Sequence, residues 1–163
     1  MLRINKTQFL IGTVALLIGG LVYMVDRPPD HTYFINNLIN VSFHNNTPRI
    51  FGSLGYSLPA FVHVFSFILI TGGVLSCQRR RYFLICLSWF ILDFAFELGQ
   101  NFKTVPLKVI PDWFSGIPFL ENTKIYFLGG TFDVFDLVAI ALGTAAAYFV
   151  LLTTHKDRRR AMT

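Results

Sequence analysis

Four long apolar runs divide the chain, and each stops at a cluster of polar or basic residues. Phe9 to Val25, Pro59 to Cys77, Tyr82 to Gly99 and Thr131 to Thr153 are each close to the ~20 residues that a helix rising 1.5 Å per residue needs to cross a hydrocarbon core of about 30 Å. The pattern therefore predicts an all-α polytopic membrane protein: one four-helix bundle with spans at 9–25, 59–77, 82–99 and 131–153. Pro59 suits a helix start, where its missing N–H costs nothing. The first run is read as a retained span because no small-x-small cleavage pattern follows it; the chain continues Tyr23-Met24-Val25-Asp26-Arg27-Pro28-Pro29. Gly12, Gly19 and Gly20 are expected at helix contacts.

The connections carry pattern of their own. Between Asp26 and Leu58, Phe34, Ile35, Leu38, Ile39, Ser42 and Phe43 recur at helical spacing opposite Asn36, Asn37 and Asn40, which predicts a short interfacial helix. Asn40-Val41-Ser42 and Asn45-Asn46-Thr47 match the glycosylation pattern, a weak signal by frequency alone. Residues 101–130 are broken by Pro106, Pro111 and Pro118, yet hold Val105, Leu107, Ile110, Trp113, Phe114, Phe119 and Tyr126. So apolar a connection is expected either to lie on the membrane surface with Trp113 and Tyr126 at headgroup depth, or to close over a site as a lid. Gln78-Arg79-Arg80-Arg81 leaves room only for a tight turn, which makes the second and third spans antiparallel neighbours.

Composition sharpens this picture. With 53% hydrophobic residues among 163 and a mean hydropathy of +0.54, the chain is too apolar for a soluble domain of its size. The net charge of +5 sits in short clusters at the ends of apolar runs rather than on one continuous basic face, so it fits membrane orientation and excludes a nucleic-acid partner. Of 14 Lys and Arg, nine (Arg3, Lys6, Arg79, Arg80, Arg81, Lys156, Arg158, Arg159, Arg160) fall on one side and five (Arg27, Arg49, Lys103, Lys108, Lys124) on the other. Both termini are thus expected in the cytoplasm, with the long connections facing outwards from the plasma (inner) membrane. Cys77 and Cys86 lack His or Asp at metal-ligand spacing and read as small buried thiols without a disulfide.

The candidate chemistry is polar residues inside apolar runs. At 100° per residue Asp93, Glu97 and Gln100 fall within about 60° of one another on one helix face. Each acid at membrane depth costs roughly 2.5–3.5 kcal/mol on insertion scales, so it must be paired, protonated or neutralised. His63, alone on an apolar helix, is more often a packing residue than a ligand. Asp133 suits the first turn of a helix. Asp136 shares its face with Gly143 and Ala147 and should point into the bundle. In the predicted topology His63, Asp93, Glu97, Gln100, Asp133 and Asp136 all fall in the outer half, within about 10 Å of its boundary. That agreement predicts one polar site, with His63, Glu97 and Asp136 meeting at its centre and Asp93, Gln100 and Asp133 around them. Carboxylates with one imidazole suit a divalent cation such as Mg²⁺, Mn²⁺ or Zn²⁺, although the spacing is no known metalloenzyme signature.

His63 in an inward-running span, Glu97-Leu98-Gly99-Gln100 closing the next, and Asp136 followed seven residues later by Gly143 resemble the VanZ-like family of small bacterial membrane proteins over about Pro59 to Tyr148. The resemblance implies a polytopic envelope protein, associated in the founding member with glycopeptide resistance. The chain departs from the pattern at Pro59-Ala60, where a charged pair is expected, before Thr131, where an arginine is expected, and at Ile140, where asparagine is usual. Without that arginine the site suits a cation better than an anion. Two classes of function follow: a site protein, binding a divalent cation or taking part in proton transfer and acting on a lipid-linked envelope substrate, and a structural or regulatory subunit among partner membrane proteins. No Ser-His-Asp triad, phosphate-binding glycine loop or haem ligand pair is present, so these residues do not by themselves identify an enzymatic reaction.

Overall fold

The computed structural model describes residues 4–26, 50–52, 54–76, 78–118 and 120–155, all in helices or the turns between them. In chain order the α-helices are α1 (Lys6–Asp26), α2 (Leu54–Leu75), α3 (Tyr82–Asn101), α4 (Thr104–Val109), α5 (Thr123–Gly129) and α6 (Val134–Thr153). The four helices α1, α2, α3 and α6 are long and apolar enough to cross a membrane. The expected surface helix around Phe34 to Phe43, the motifs at Asn40 and Asn45, Cys77 and the basic tail from Lys156 lie outside the described residues.

Helix α1 lies antiparallel along α2, and its glycines explain the close approach. A Cβ on Gly12 would stand 2.9 Å from the Ser66 carbonyl oxygen, and one on Gly19 would stand 2.8 Å from Val62 Cγ1. Such small residues let backbones meet where lipid supplies no hydrophobic drive between helices. Gly20, expected at a contact, has nothing within 4 Å and lies on the open side. One helical step from Gly19 turns it by about 100°, away from α2. Leu10, Val14, Leu17, Ile18 and Leu21 form the exposed stripe of α1.

Helix α2 is the hub. It runs parallel to α6, with Gly143 against the Phe61 carbonyl and Val64, and Gly72 against Leu151. Helix α3 closes on both, burying Tyr82, Ile85 and Cys86 among Val64, Ile68, Leu69, Ile140, Ala147 and Leu151. Helix α2 starts at Leu54 rather than Pro59, which therefore lies inside it. The cause is Asp26, whose Oδ1 and Oδ2 accept the Ile50 and Phe51 amides at 3.0 and 2.9 Å and so fasten the turn that opens the helix.

Where α1 begins and α6 ends, a knot of hydrogen bonds joins α1, α2, α3 and α6. Asn5 Oδ1 accepts the Gln8 amide and caps α1, while the Asn5 amide donates to the Gly73 carbonyl at 2.8 Å. Gln8, 0% exposed, donates from Nε2 to the Tyr82 hydroxyl, the Leu151 carbonyl and Thr154 Oγ1 at 3.2, 3.3 and 3.1 Å. Tyr82 Oη in turn stands 2.8 Å from His155 Nδ1.

Candidate functional site

At the opposite end of the bundle polar side chains from α2, α3 and the start of α6 stand in two tiers. In the inner tier His63 and Asp93 meet across the seam between α2 and α3, with Nδ1 and Oδ2 3.1 Å apart. The carboxylate side chain is 10% exposed and the imidazole 50%, so the acid is enclosed and the base is open on one side. Below them the seam is filled. The His63 ring lies 4.6 Å from Phe67, Phe67 stacks on Trp89 at 4.9 Å, and Trp89 Nε1 donates to Thr71 Oγ1 at 3.0 Å.

The outer tier begins one helical turn further along α3. Glu97 Oε1 accepts the Asp133 amide at 2.8 Å, and Asp133 Oδ1 accepts the Phe135 amide at 2.9 Å. Asp133 is thus the N-cap of α6, and Glu97 sits where that helix leaves amides unpaired and its dipole favours negative charge. Asp136, in the first turn of α6, stands with Asp133 within electrostatic reach of Glu97. Gln100 is buried, and its side chain runs so close under Gly130 that a Cβ there would stand 2.5 Å from Oε1. A larger residue at Gly130 would push the Gln100 side chain aside where the chain enters α6. Phe127 of α5, 6% exposed, fills the notch above Gly99 and stacks on Phe96 at 5.4 Å. Part of the outer connection therefore covers the rim.

The contacts divide the six expected residues differently from the simple centre of His63, Glu97 and Asp136. His63 pairs with Asp93, placed in the surroundings by sequence, and Glu97 belongs with the start of α6. Because His63 pairs with Asp93, four residues before Glu97 on α3, it stands level with the helical turn below Glu97. Among the described residues no group of three or more His, Cys, Asp or Glu side chains is placed to hold a metal ion.

Sequence reasoning missed Asp26, Asn5, Gln8, Tyr82 and His155. Asp26 was read only as a loop boundary, and Asn5 and Gln8 lay outside the apolar window. The signal available was the helical spacing of Asn5 and Gln8 with the break from apolar pattern at Tyr82. No protein-family model, curated protein or solved structure matches the chain.

Proposed function

We propose that the chain is a VanZ-like integral membrane protein of the cell envelope, with both termini in the cytoplasm and an outward-facing carboxylate and histidine site that acts on a lipid-linked envelope substrate. The observation that carries this reading is the His63–Asp93 pair, an enclosed acid holding a half-open base. A histidine that donates Nδ1–H to a carboxylate keeps Nε2 as its basic face, and the same carboxylate stabilises the imidazolium formed when Nε2 takes a proton. Such a pair exchanges a proton with a hydroxyl or acid group brought to the seam. The outer tier of Glu97, Asp133, Asp136 and Gln100 gives the approach its polar lining and favours positively charged or hydroxyl-rich groups over phosphate alone.

The test is expression of the chain in a glycopeptide-sensitive bacterium, with antibiotic susceptibility read beside the amount of protein in the membrane. His63→Gln, Asp93→Asn and Glu97→Gln should accumulate like the parent and lose its effect on susceptibility. Retention of the effect by all of them would overturn the reading. The second reading, a subunit of a larger membrane assembly, is favoured by the wide exposed faces of α1, α3 and α6, which include Leu17, Phe83, Leu84, Phe135 and Phe149. Under it the same neutralisations are tolerated or stabilising, since they remove buried charge and keep hydrogen-bonding capacity.

A further inference from the structure

The connection between α3 and α6 divides into two parts that differ in how much they bury, although Ile125 and Leu128 of the later part are exposed too. Its later part, α5, packs on protein: Phe127 is buried against Gly99 and Phe96, and Lys103 Nζ donates to the Leu128 carbonyl at 2.9 Å. In its earlier part Pro106, Leu107, Ile110 and Phe114 are only half-buried. Neither α4 nor the 3₁₀ turn at Asp112–Gly116 contains a buried residue. Instead Phe102, Val105, Val109, Trp113 and Ile117 are exposed, Val109 at 73% and Trp113 at 62%. Side chains of this size lose roughly 1.5–3 kcal/mol each when left in water instead of buried, so the face has to be covered.

We infer that α4 and the 3₁₀ turn dock into the outer leaflet of the protein's own bilayer, with Trp113 at the depth of the lipid glycerol groups, while α5 alone covers the polar rim. Three observations select lipid as the occupant. The segment is tethered at both ends to membrane-spanning helices on one side, and α4 starts three residues after α3 ends, within about 11 Å by chain length. Its exposed apolar residues begin at Phe102, directly after α3, a membrane-spanning helix whose Ile91 and Leu92 are exposed as well. Its charged residues stand in the segment that carries Trp113: Lys108 is exposed on α4, and Asp112 beside Trp113 pairs with Lys124 of α5 at 2.7 Å. Aromatic and basic side chains together are what the headgroup zone accepts. That ion pair also couples the lipid-docked part to the covering part. The inference concerns the surface alone and stands or falls independently of what the polar site binds.

The chain holds two tryptophans, so Trp89→Phe leaves Trp113 as sole reporter. In phosphatidylcholine vesicles with acyl chains brominated near the glycerol, Trp113 emission should be blue-shifted, strongly quenched by the lipid and little affected by aqueous iodide. Free quenching by iodide without quenching by bromine would overturn the inference. So would protection from both, since protein, such as a second copy, would then cover the face. A Val109→Cys spin label in a chain that keeps Trp89 and carries Cys77→Ser and Cys86→Ala gives an independent check. Its relaxation should respond to oxygen dissolved in lipid more than to an aqueous nickel chelate; the reverse order would overturn the inference.

Discussion

Single residues in this bundle matter through size and hydrogen bonding more than through apolar bulk, because lipid tails solvate leucine about as well as a neighbouring helix does. At Gly143 a Cβ would stand 2.7 Å from the Phe61 carbonyl oxygen, a backbone atom that cannot swing aside, so Gly143→Val forces α6 away from α2. The expected loss is about 1–3 kcal/mol in reversible unfolding in bicelles. Gly20→Val, with nothing within 4 Å, should leave stability nearly unchanged. Gln8→Leu removes the donor to three acceptors at the terminal end and should cost about 1–2 kcal/mol, the range of interhelical hydrogen bonds in membranes. The contact glycines Gly12 and Gly19 were legible from composition and spacing inside an apolar run. Gln8 was not: its role is set by α3 and α6, which meet it from more than seventy residues away.

Among the elements, the transmembrane helices were legible because hydropathy over about 20 residues is a strong signal, while their ends were set by particular side chains. Asp26 starts α2 early and Asp133 starts α6 late, and neither effect shows in an apolar run. Asp133→Ala should cost about 1 kcal/mol, as for a lost helix cap. It should also loosen the amide that Glu97 holds, read as faster hydrogen exchange at Asp133 and Phe135. In the outer connection, prolines and apolar residues announced an unusual loop but not its helices, which are too short to show a period. There Lys124 holds the Asp112 carboxyl below its usual range by hydrogen bond and charge. A depressed carboxyl contributes order above its unfolded value near ~4 and loses it as pH falls through its lower folded value. Protection of the α5 amides, measured against their intrinsic exchange rates, should therefore hold from neutral pH to about pH 4 and weaken below. Asp112→Asn should remove that step, and salt should weaken it because the carboxylate is fully exposed.

For the whole molecule, orientation decides what the polar site can meet. The site lies at the end of the bundle opposite the knot of Asn5, Gln8, Tyr82 and His155, so it faces whichever compartment the termini do not. In the proposed topology the nine-against-five division of Lys and Arg puts the termini in the cytoplasm, since basic residues close to span ends resist translocation. Arg79, Arg80 and Arg81 carry most weight, forming a whole 3₁₀ turn between α2 and α3 with no buried residue. In a Cys77→Ser, Cys86→Ala background, Lys124→Cys should react with a membrane-impermeant maleimide added to intact cells. Gln78→Cys should react only after the membrane is opened. The opposite result would turn the His63–Asp93 pair and the docked α4 towards the cytoplasm and remove an envelope substrate from their reach. Replacing Arg79, Arg80 and Arg81 together by Gln reduces the division to six against five and should yield a mixed population in the same assay. Unchanged labelling there would mean that the ends of the chain, with Arg3, Lys6 and the tail from Lys156 to Arg160, suffice to hold the orientation.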